Sequence, residues 1–147
     1  MEEKYIQKAI IQAKKALKKG EVPVGSIVVY KNKIIGKGYN KKEKKKNPLL
    51  HAELISIRAA CKKIKDWRLN ECVIYTTLFP CPMCASAIQQ SRIKKIFYIF
   101  DSKDEISSNI SKTILKKSNH VVETEKIEFE SDILDVFFKK IRKKEKK

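Results

Sequence analysis

The chain has 147 residues, 42% of them hydrophobic, and a net charge of +17. This length and composition fit one folded domain and exclude both a disordered chain and one that needs disulfides to fold. No apolar run nears the ~20 residues of a membrane span, and no apolar stretch follows the charged start, Met1 to Tyr5; a signal peptide is not expected, and the chain is assigned to the cytoplasm.

Ile6, Ala9, Ile10, Ala13, Ala16 and Leu17 recur at helical spacing among lysines, which predicts an amphipathic first helix ending near Gly20. Val24 to Tyr30 is rich in β-branched residues and reads as a buried strand. Lys31-Asn32-Lys33 is a turn, and Ile34 to Tyr39 returns as the second strand of a hairpin. Asn40 to Leu50 is expected to be a polar loop. A helix is expected from His51 to about Ile64, because Pro48 blocks helix just before it. Val73 to Thr77 is a third strand, Met83 to Gln90 a helix and Lys95 to Phe100 a fourth strand. Asp101 to Asn109 reads as a loop, Ile110 to Lys117 as a helix and His120 to Glu123 as a short fifth strand. Ile133 to Ile141 is an amphipathic helix. After the hairpin, helices alternate with strands. That pattern predicts an α/β fold, a three-layer α/β/α sandwich with a mixed central sheet of about five strands. Residues 1–141 are expected to form one domain, and 142–147 a basic C-terminal tail.

The charge has two readings. A strongly basic domain predicts a polyanionic partner, nucleic acid above all. The other reading is lysine-rich composition alone, since only Arg58, Arg68, Arg92 and Arg142 of the 34 basic residues are arginine.

Two segments carry chemistry: His51-Ala52-Glu53 and Pro80-Cys81-Pro82-Met83-Cys84. A Cys-x-x-Cys opening a helix brings two thiols together where the helix N-terminus favours thiolates. A histidine opening another helix supplies a third ligand. Three protein ligands leave the fourth tetrahedral position open, as in a catalytic zinc site. Cys61 lies two or more helical turns beyond His51, and Cys72 precedes a strand; both read as ordinary small core residues. His120 reads as a loop or strand residue. In a cytosolic chain these thiols are not expected to form disulfides. Glu53 is two residues past His51, about 200° around a helix, so it need not bind the same metal. It reads instead as the proton carrier, since zinc lowers the pKa of a bound water to about 7 and a carboxylate can move its proton to a departing amine. A Cys-x-x-Cys alone would fit a redox pair, but such a pair has no His-x-Glu partner upstream.

With these motifs in this order, the sequence resembles the bacterial tRNA-specific adenosine deaminases, which convert the wobble adenosine of an anticodon to inosine. Glu21-Val22-Pro23-Val24-Gly25, Gly38-Tyr39-Asn40, His51-Ala52-Glu53, Arg68-Leu69, Pro80-Cys81-Pro82-Met83-Cys84, Ser91-Arg92-Ile93 and Phe137-Phe138 carry the likeness along nearly the whole chain. The resemblance implies a cytidine deaminase-like fold, one Zn2+ per subunit and a homodimer that binds the tRNA anticodon arm. It implies that His51, Cys81 and Cys84 hold the metal and that Glu53 is the catalytic acid/base. It assigns Asn40 to the flipped base, Asp101 to a flanking nucleotide, and Phe138 and Arg142 to the anticodon arm. Three segments depart from the family. Leu78-Phe79-Pro80-Cys81 stands where the family has Leu-Glu-Pro-Cys. Asn47-Pro48-Leu49-Leu50 replaces Asp-Pro-Thr-Ala. Lys103-Asp104-Glu105-Ile106-Ser107-Ser108-Asn109 replaces a run of small residues. Phe79 and the altered loop fit better a second reading, a deaminase of a free base or nucleoside of the guanine or cytosine type. A zinc-stabilised RNA-binding protein without activity is the third; it would be expected to have lost Glu53.

Overall fold

The computed structural model describes residues 2–137 and 139. A five-stranded sheet has the order β2-β1-β3-β4-β5. Its strands are β1 (Gly25–Tyr30), β2 (Lys33–Tyr39), β3 (Val73–Leu78), β4 (Lys95–Phe100) and β5 (Glu123–Lys126). β1 pairs antiparallel with β2 and β3, while β3–β4 and β4–β5 are parallel, so the sheet is mixed. The helices are α1 (Glu2–Lys18), α2 (Lys42–Lys45), α3 (Ala52–Ile64), α4 (Pro82–Gln90) and α5 (Glu105–Lys117), with a further helical stretch at 133–137. No helix of the described residues is long and apolar enough to cross a membrane.

Side chains alternate across the sheet, so each buried strand feeds two cores. Ile27, Val29, Tyr75, Phe97 and Ile99 meet Tyr5, Ile6, Ala9 and Ile10 of α1 on one face, together with Ile133. Val28, Ile74 and Ile96 meet Ala60, Ala85, Ile88 and Leu115 of α3, α4 and α5 on the other. The layers are therefore α/β/α, as the alternating pattern predicts. In the first core Tyr75 stacks on Phe97, its partner across the β3–β4 pairing, with ring centroids 4.9 Å apart.

The hairpin turns on Lys31 and Asn32, both at positive φ (48° and 63°). Two such residues give a turn whose twist suits a two-residue hairpin, and β2 accordingly starts at Lys33. Beyond this turn, β2 is pressed against α3. A Cβ built on Gly38 would lie 2.4 Å from the Ala52 carbonyl oxygen, and one on Gly36 would lie 2.2 Å from that of Ser56. Only glycine lets the helix come this close. Because Ala52 lies between His51 and Glu53, the contact also fixes where the helix start points. Gly38→Ala is expected to cost about 3 kcal/mol, read as a lower midpoint in denaturant unfolding, and to reduce activity in the folded fraction.

Three boundaries differ from the sequence expectations. α5 begins at Glu105, within the expected loop, because the Asp104 carboxylate caps it: the Ser107 N–H donates to Asp104 Oδ1 at 3.1 Å. The expected loop Asn40 to Leu50 contains the single turn α2. The fifth strand runs over Glu123–Lys126 and meets the expected His120 to Glu123 only at Glu123, which lies opposite Lys95. The residues before it serve a turn, where His120 Nε2 lies 2.9 Å from the Ile93 carbonyl oxygen and the Val122 N–H donates to the Leu115 carbonyl. All four β5 residues are exposed and charged or polar, which suits an edge strand.

Candidate active site

The site forms at the carboxyl end of β3, where parallel strands and their helices leave a crevice. β3 ends at Leu78, and the chain turns through Phe79 and Pro80 into α4. Cys81 occupies the position before the first turn of α4, and Pro82 follows at its first position. Proline is well placed there, since its missing N–H would have had no partner in the helix. The turn is anchored by α5, whose buried Ser111 hydroxyl donates to the Pro80 carbonyl at 2.8 Å. His51 occupies the corresponding position before α3. Two helix N-termini thus face one point.

At that point His51 Nδ1 lies 3.7 Å from Cys81 Sγ and 3.5 Å from Cys84 Sγ. The three ligand atoms lie within 4.8 Å of one another, and they form the one such group among the described residues. Tetrahedral zinc with Zn–S near 2.3 Å and Zn–N near 2.0–2.1 Å places such nitrogen and sulfur atoms about 3.6 Å apart. The donor set and its spacing fit a metal held by one imidazole and two thiolates. The Cys81 sulfur accepts from the Cys84 thiol, which holds Cys81 down at about 4 and drives Cys84 far up. The same sulfur bonds to His51 and raises the imidazole above its ordinary value. Without a metal, Cys84 therefore keeps its thiol proton beside the Cys81 thiolate. A bound cation would displace it, since a coordinating thiol is deprotonated outright.

Glu53 is 4% exposed. Burial pushes its carboxyl up to about 7, within the range useful to a group that must both take and give a proton. It does not join the three-ligand group but lines the same cavity. That cavity is about 280 Å³, at the small end for a small-molecule site.

Asn40 also lines the cavity. Its carboxamide bridges two segments: the Ala52 N–H donates to Oδ1 at 2.9 Å, and Nδ2 donates to the Val22 carbonyl at 3.1 Å. Asp101 is exposed, pairs with Lys126 and is not among the cavity-lining residues; Ser102, Asp104, Ser107 and Ser108 are. Phe138 and Arg142 lie outside the described residues. Cys61 is partly exposed and Cys72 buried, and burial raises both thiols, Cys72 to about 11. Both are thus poor metal ligands and nucleophiles. Among the lining residues without a role expected from the sequence is a buried carboxylate. Glu21, 2% exposed, reaches the cavity wall from the end of α1. The only sequence hint was an acidic residue opening a likeness segment.

The chain matches the MafB19-like deaminase family over residues 1–142. It is 39% identical to the tRNA-specific adenosine deaminase of Bacillus subtilis (strain 168), over 99% of this chain and 93% of that protein. The chain belongs to the tRNA-specific adenosine deaminase family. Among solved structures, a tRNA:A34 deaminase acting at the wobble position superposes with a TM-score of 0.77 at 27% identity, covering 84% of this chain and 96% of that one. A guanine deaminase from Bacillus subtilis gives 0.68 at 30% identity, covering 96% and 93%. The deaminase fold expected from the sequence is the fold found.

Proposed function

We propose that this deaminase hydrolyses the wobble adenosine of a tRNA anticodon to inosine, with zinc held by His51, Cys81 and Cys84. The observation that carries the chemistry is the ligand trio beside buried Glu53 in a base-sized cavity. Kinship with tRNA-specific adenosine deaminases supports the substrate. When bound, zinc makes a water acidic enough to supply hydroxide at neutral pH for attack on C6 of adenine. Glu53 takes the proton of the attacking water and delivers it to the exocyclic amine, which leaves as ammonia. Asn40 orients the base through the N–H its bond to Val22 leaves over. The cavity walls Val24, Leu78 and Phe79 exclude bulk water.

The small cavity requires the base to leave its stack, which costs least in an unpaired anticodon loop. Lys41, Lys42, Lys44, Lys45 and Lys46 and the basic residues from Lys139 onward neutralise phosphates; Phe138 and Arg142 meet the anticodon arm, and Asp101 a flanking nucleotide. The chain acts in the cytoplasm as a homodimer, each subunit a single domain over 1–141 followed by a basic tail. A free-base deaminase is the second reading, favoured by Phe79 at the cavity wall and by the likeness to a guanine deaminase. Such a substrate makes no use of a charge of +17.

A panel of substrates separates the two. A tRNA transcript with adenosine at the wobble position is expected to be turned over, with log KM rising steeply against log salt. The same transcript with guanosine there, free guanine and free cytosine are expected to be inert. Turnover of guanine with no change in the transcript would establish the second reading.

A further inference from the structure

Glu21 is a buried carboxylate outside the chemical step, and its bonds reach across the mouth of the site. The backbone N–H groups of Glu43 and Lys44 donate to its two oxygens at 3.0 and 2.8 Å. These are N–H groups of α2, a single helical turn whose preceding residue, Lys41, contributes no side-chain cap. The first N–H groups of a helix have no partner within it. Here they are satisfied by a residue more than twenty positions upstream. That residue is itself fixed, since its own N–H donates to the Ala16 carbonyl at the end of α1. Asn40, bonded to Val22 and Ala52, ties the same segment to the start of α3.

The clasped turn carries five lysines: Lys41, Lys42, Lys44, Lys45 and Lys46. All but Lys41 are exposed, and Lys42 and Glu43 line the cavity. A four-residue helix with no side-chain cap of its own and no buried residue does not hold its shape alone. We infer that Glu21 is a positioning residue for substrate: its carboxylate clamps the lysine turn at the cavity mouth, so that its ammonium groups meet tRNA phosphates while the base enters. The inference rests on the tRNA reading above. It assigns Glu21 to binding and leaves the proton transfer to Glu53.

The sign of the effect separates a clamp from a charge. Removing a negative charge near phosphate would by itself tighten RNA binding. Releasing the lysine turn loosens it. In Glu21→Gln one of the two N–H groups loses its acceptor. KM for the wobble-adenosine tRNA is expected to rise roughly three- to tenfold, with kcat and zinc content unchanged and the slope of log KM against log salt shallower by about 1. Lys44→Gln/Lys45→Gln is expected to raise KM and flatten the slope similarly. The two changes combined are expected to do less than their sum, since both act on one contact. The Glu43 and Lys44 amides are expected to exchange slowly in the wild-type chain, a readout that needs no variant. A lowered or unchanged KM in Glu21→Gln, additive effects, no effect of the lysine pair, or fast exchange at both amides would overturn the clamp. A wild-type protein that forms no inosine in tRNA would instead overturn the function on which it rests.

Discussion

Glu53→Gln is expected to lower kcat for deamination by about 10²–10⁴-fold, the usual range for removing a general acid/base, without destabilising the protein. The amide keeps the size and hydrogen-bonding reach of the acid, so zinc content and tRNA binding should be preserved. It cannot accept and return a proton at neutral pH. Stability should hold or rise, because the wild-type carboxyl is buried at 4% exposure and kept ionisable only at the cost of desolvation. Steady-state kinetics and thermal unfolding on the same preparation check both halves. Activity within a few-fold of wild type would remove Glu53 from the mechanism.

Cys84→Ser is expected to abolish turnover by removing the metal. Cys84 is fully buried in the first turn of α4 and shares His51 Nδ1 with Cys81. A serine hydroxyl in its place is a harder and much less acidic ligand. Zinc affinity should fall by more than about a hundredfold, beyond what loss of an outer-shell partner costs. Zinc that binds only the folded chain also stabilises it, by about 4 kcal/mol when free metal exceeds Kd a thousandfold. A chelator should therefore lower the Tm of the wild type and leave that of Cys84→Ser where it is. Metal analysis and paired melts report this without an activity assay. A variant that retains one zinc per chain would show that the ligand set is wrong.

The cluster of His51, Cys81 and Cys84, with Glu53 beside it, could be picked out from the sequence because local spacing and a family likeness both mark these residues. Cys81 and Cys84 are three apart at a helix start, and His51 opens another helix. The strands β1, β3 and β4 were legible for the same reason: short runs of Val, Ile, Tyr and Phe bounded by breakers. α2 read as loop because its cap is Glu21, far upstream. Ser107, Ser108 and Asn109 also read as loop, since such side chains compete with the helical backbone. The Asp104 cap and the packing of Ser111 and Leu115 make them the first turns of α5. Asp101 was assigned to a flanking nucleotide by likeness, and its neighbours Ser102 and Asp104 line the cavity. α5 starts early and brings its own N-terminal residues, Ser107 and Ser108, to the wall.

Hydrolysis at one base of a tRNA can be followed through the oxygen. Zinc-loaded protein is incubated in heavy-oxygen water with a tRNA transcript bearing adenosine at the wobble position, and the digested nucleosides are analysed by mass spectrometry. Inosine is expected at that position alone, carrying the solvent's heavy oxygen, with an equal amount of ammonia released. Unchanged adenosine in the transcript, from a preparation that deaminates free guanine, would contradict it.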